Sequence, residues 1–81
     1  MQEKIEERHK EITRIQNTIW SIYKGYLTDH DMKKWNVGVE NLVKEYIDKG
    51  DQNLLNFVRC TVITWCSVIE WFAKEFRNSP D

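Results

Sequence analysis

The chain has 81 residues with one proline, at Pro80, and three glycines, and no stretch alternates polar and apolar residues with the period of two that a half-buried strand requires. Without strand patterning or internal breakers, long helices are the one regular option. They can end only where turn-formers gather, at Thr28-Asp29-His30-Asp31 and at Lys49-Gly50-Asp51. The expected class is all-α: an antiparallel three-helix bundle with helices near 2–27, 30–49 and 52–77, open to completion by dimerisation. A single core accounts for a chain of this length, which sits near the lower limit at which a core alone supports folding.

The first expected helix carries Ile5, Ile12, Ile19 and Tyr26 at heptad spacing, with Ile15 and Ile22 in the offset positions and Arg8 breaking the seam. Its first ten residues are mostly charged, so burial should begin near Ile12 and the start should protrude into water. Thr28 or Asp29 is the expected cap of the second helix, whose apolar face is Met32, Trp35, Val39, Leu42, Val43, Tyr46 and Ile47. Gly38 lies inside that helix and is read as a point of close approach by a neighbour. Asp51 should cap the third helix, and Asn78-Ser79-Pro80 should end it in a frayed tail over 78–81.

The third segment is the most apolar. Leu55, Val62, Ile69 and Phe76 recur every seven residues with Val58, Trp65 and Phe72 between them, and Leu54, Phe57, Val68 and Trp71 widen the stripe. A bilayer span would be apolar on all sides, whereas Asn56, Arg59, Glu70, Lys74 and Arg77 share one face here. The expectation is a core helix, the most buried of the three, with no membrane role.

Twelve Lys and Arg against thirteen Asp and Glu leave a net charge of -1, spread evenly, which lacks the positive field that nucleic-acid backbones reward. As a recognition helix the third segment would offer only Arg59, Lys74 and Arg77, opposed by Glu70, so nucleic acid is not an expected partner. Cys60 and Cys66 would stand about 9 Å and roughly 240° apart on a helix, too far to bridge. Both are expected to be small buried hydrophobes in a reducing setting, and the charged amino terminus gives no apolar signal region, so a cytoplasmic location is expected.

Catalytic and metal chemistry find little support. His9 lies among solvated charges; His30, between Asp29 and Asp31, has no second His or Cys three or four positions away and is read as a surface residue of the cap. Cys66 lacks an oriented base, and a small dimeric helical enzyme would need basic side chains converging in a polar pocket, where this chain has hydrocarbon. No cofactor is expected. Trp35 and Trp65 are assigned to the core, while Trp20 with Tyr23 and Leu27, and Trp71, fall at the margins of their stripes and mark an apolar patch for a protein partner. Arg59 and Glu70, about 16 Å apart along one face and unable to pair, are candidates for its charged rim.

Two stretches, IWSIYKGYLTDHDMKKWN at 19–36 and LLNFVRCTVITWCSVIEWFAKEFR at 54–77, resemble short all-helical accessory proteins of phages and mobile elements of Gram-positive bacteria. That resemblance implies a protein acting by stoichiometric binding, for instance as an inhibitor of a host enzyme or defence nuclease. The reading from residues and resemblance together is a helical protein-interaction module, dimeric, binding through an apolar patch.

Overall fold

Three helices form where the turn chemistry permits, and the computed structural model describes them over residues 3–78. They are α1 (Glu3–Asp29), α2 (Met32–Lys49) and α3 (Gln52–Asn78), in that order, and among the described residues there is no strand. Asn78, expected to begin a frayed tail over 78–81, is the last residue of α3; the rest of that expectation and the one for the first two residues lie outside the described part of the chain.

The first connection differs from expectation. Thr28 stays in α1, its Oγ1 donating to the Lys24 carbonyl at 3.1 Å, and Asp29 is the last helical residue. Asp31 is the cap of α2: extended at φ -92° and ψ 97°, its carboxylate accepts the Lys33 and Lys34 amides at 3.0 and 3.3 Å. Neither Thr28 nor Asp29 can do this because His30 makes the turn, at φ 55°, with its amide still donating to the Tyr26 carbonyl at 2.8 Å. Left-handed backbone at a histidine costs roughly 1 kcal/mol, and the histidine ring recovers some of it by stacking on Phe76, centroid to centroid 3.7 Å and 10° from parallel. The second connection matches its sequence: Gly50 takes φ 74°, its amide donates to the Ile47 carbonyl at 3.1 Å, and Asp51 accepts from Asn53 and Leu54 at 3.1 Å each.

The core is Ile15, Ile19 and Tyr26 from α1, Trp35, Val39, Leu42 and Tyr46 from α2, and Leu54, Leu55, Val58 and Ile69 from α3. Burial on α1 begins at Ile15; Ile5 and Ile12 are exposed, as is Arg8, which does not enter the interior. Ile47 of the expected α2 face is also half exposed, and Cys60, expected to be buried, is exposed while Cys66 packs at the edge of the core. The central element is α2: both other helices contact it more extensively than they contact each other, so α3 is not the most enclosed of the three. Gly38 explains one approach, since a Cβ there would stand 3.1 Å from the Ile22 side chain of α1.

No described helix is long and apolar enough to cross a membrane. Antiparallel steps leave α1 and α3 parallel to each other, both nine residues longer than α2, in a body measuring 54 × 24 × 17 Å. The charged start of α1 is exposed from Glu3 to Lys10.

Candidate functional site

The three seams between helices differ in chemistry. Between α1 and α2 lies a polar latch. Tyr46, with no exposed surface, donates its hydroxyl proton to Glu11 and accepts from Arg14 Nη1 at 2.9 Å. Arg14 Nη2 reaches Glu45 at 2.7 Å, and Lys49 stands 3.4 Å from the carboxylates of both Glu11 and Glu45 and 4.8 Å from the centre of the Tyr46 ring. Burial, reinforced by the Glu11 hydrogen bond, pushes the Tyr46 phenol up to about 12. The same bond holds Glu11 below its ordinary value, and the Arg14 guanidinium does so for Glu45. The latch was not anticipated from the sequence. It closes the α1–α2 side.

Between α2 and α3 the seam is apolar. A shallow depression there is lined by Val39, Val43, Ile47 and Val62 with Glu40 and Lys44 at its edge. Every ion pair among the described residues joins α1 to α2 or lies within α2, so apolar contact alone holds α3.

The seam between α1 and α3 is aromatic. Tyr23 sits against Trp65 at 4.5 Å between ring centres, Trp20 meets both at 5.3 and 6.0 Å, and Tyr23 approaches Phe72 at 6.4 Å. From there the rings continue: Trp71 stacks on Phe72 at 5.5 Å, Phe72 lies 6.2 Å from Phe76, and Phe76 touches Tyr26 and His30. The result is one ladder of rings along two parallel helices, wet on its outer side, with Trp20 49% and Trp71 61% exposed. Such side chains are rigid, present large contact area and lose little entropy when covered.

The structure brings four of the six sequence-predicted residues together and separates two. Trp20, Tyr23 and Leu27 are on the α1 side of this face and Trp71 on the α3 side. Glu70 is about 100° around α3 from Trp71 and lines a depression with Tyr26, His30, Met32 and Lys74 at the end of the bundle. Arg59 falls within about 20° of Glu70 on the helical wheel and is exposed there, away from the ring ladder. Glu70 thus borders only the Tyr26–His30 end of the ladder, and neither residue flanks Trp20 or Trp71. On the helical wheel the side chains flanking Trp20 and Trp71 are Gln16, Thr64 and Val68, of which the sequence marked only Val68, as part of the α3 stripe.

Trp65, assigned to the core, is half-buried and is the rung linking the two helices, whereas Trp35 is 2% exposed and belongs to the core outright. Among the described residues no three His, Cys, Asp or Glu side chains are grouped as metal ligands would be, and no polar or charged residue is buried. Comparisons with protein-family models, with curated proteins and with solved structures find no match for the chain.

Proposed function

We propose that this protein is a helical interaction module that works by stoichiometric binding, with the α1–α3 aromatic face as its contact surface. The observation that carries the reading is the exposure of Trp20 and Trp71 at the outer edge of a continuous ring ladder, on a seam with no polar closure. Tryptophan dominates binding hot spots because it removes a large apolar area from water with few rotamers to freeze. In its more specific form the proposal is an inhibitor carried by a phage or mobile element, occupying a surface of a host enzyme or defence protein.

Capture of the partner from native cell extract on the immobilised chain tests this. Trp20→Ala and Trp71→Ala should each reduce recovery at least tenfold, the effect of losing about 1.4 kcal/mol or more, while Arg59→Ala and Glu70→Ala should leave it within twofold. Equal recovery with all four variants would remove the face from the account.

A further inference from the structure

The aromatic face has two properties besides its rings. It is almost free of charge: along the outer edge of α1 from Ile12 to Tyr23, and of α3 from Asn53 to Phe72, the positions turned to this side are apolar or neutral, such as Gln16 and Thr64. The two charges that border it farther along, Lys24 and Glu75, are of opposite sign and both exposed. It is also long, running along two parallel helices of 27 residues each.

We infer that the occupant of this face is a second copy of the same chain, joined to the first by a two-fold axis so that α1 and α3 of each protomer pack on α1 and α3 of the other. The inference rests on the reading of the face as a protein-contact surface and names its partner. An isologous contact requires a surface to complement itself, and like charges facing each other across the axis are the usual obstacle. This face sets no such pair; the outer side of α2 would, with Lys33, Lys34, Glu40, Lys44 and Asp48 all exposed. The area suits a modest dimer: the uncharged edges, about 18 Å of α1 and about 30 Å of α3 at about 10 Å width, present roughly 480 Å² per copy, so a pair comes close to about 1,000 Å², the size at which specific interfaces begin. A chain of 81 residues with eleven buried hydrophobic side chains, and with Ile12, Trp20, Leu27 and Trp71 left exposed along this face, gains from their burial what its small core cannot supply. Ile12, exposed at the start of the same edge, extends the apolar strip toward the amino-terminal overhang.

Sedimentation equilibrium of the full chain across the micromolar range tests the inference. The wild type should run at twice its 9.8 kDa. Thr64→Arg and Trp71→Arg, each placing a cation opposite its own copy, should weaken association at least tenfold with helical circular dichroism unchanged. Val37→Arg, on the exposed side of α2, should leave the dimer intact. A wild-type monomer throughout the range, or a dimer that Val37→Arg disrupts and Thr64→Arg does not, would overturn the inference. The wider reading fails separately: a monomer that still captures another protein in a Trp20- and Trp71-dependent way refutes the second copy and keeps the contact surface, and a monomer that captures none refutes both.

Discussion

Two residues with left-handed backbone set the ends of α2, and they arrive there by different routes. Gly50 at φ 74° has no Cβ to strain, and nothing stands within 4 Å of where one would be, so Gly50→Ala meets only the backbone cost, about 1 kcal/mol. The melting temperature should fall by roughly 4–8 °C, measured by circular dichroism. His30 at φ 55° trades that strain against its stack on Phe76. His30→Gly loses the ring but relaxes the backbone, whereas His30→Ala loses the ring and keeps the strain, so alanine should be the more damaging by about 1 kcal/mol. Equal stability of the two variants would mean that the backbone there is not under tension. Gly50 was legible in the sequence because glycine after a lysine-ended helix has one dominant use; His30 was not, because the ring that accepts its stack is 46 positions away. The six candidate site residues divide for a related reason. Periodicity marked Trp20, Tyr23, Leu27 and Trp71 as marginal to their stripes, but which margins meet depends on how α3 is rotated against α1. That rotation put Arg59 and Glu70 elsewhere.

At the scale of elements, three helices and their approximate limits followed from the scarcity of breakers and the 3.6-residue recurrence of apolar side chains. Burial depth did not. Ile47 continues the α2 stripe by spacing and is half exposed, because the stripe's angular width exceeds what two neighbours cover. The α1–α2 latch was invisible for another reason: its hydrogen bonds join residues 31 to 38 positions apart, and only Glu45 with Lys49 has a helical spacing. Its charge states set a pH window. Glu11 and Glu45 have depressed values, so their contribution is present above the unfolded value of about 4.3 and is lost as the pH falls through the folded ones; Tyr46 is raised, so its contribution is present below the unfolded value of about 10 and is lost as the pH rises toward 12. Tyr46→Phe should cost about 1 kcal/mol at neutral pH and remove the alkaline decline between pH 10 and 12 in urea titrations. An unchanged alkaline limb would show that Tyr46 does not control it. Close packing of the same two helices can be tested through Gly38. Alanine there gains about 1 kcal/mol of helix propensity but crowds Ile22 at 3.1 Å, so Gly38→Ala should stabilise an Ile22→Ala background more than the wild type, by at least about 0.5 kcal/mol. Additive effects would contradict the contact.

For the whole molecule, the order of the seams matters most. With α2 in the middle, one side latched by polar groups and one sealed by aliphatic ones, the α1–α3 side is left as the place where rings meet water. Site-specific photo-cross-linking in the cells that make the protein reads this directly. A benzophenone side chain placed at Thr64, beside the ring ladder, or at Val37, on the far side of α2, traps whatever lies against each surface. The account predicts a discrete adduct from position 64, the same chain or another protein as its mass shows, and only diffuse background from position 37. Adducts of equal yield from both positions, or from position 37 alone, would contradict it.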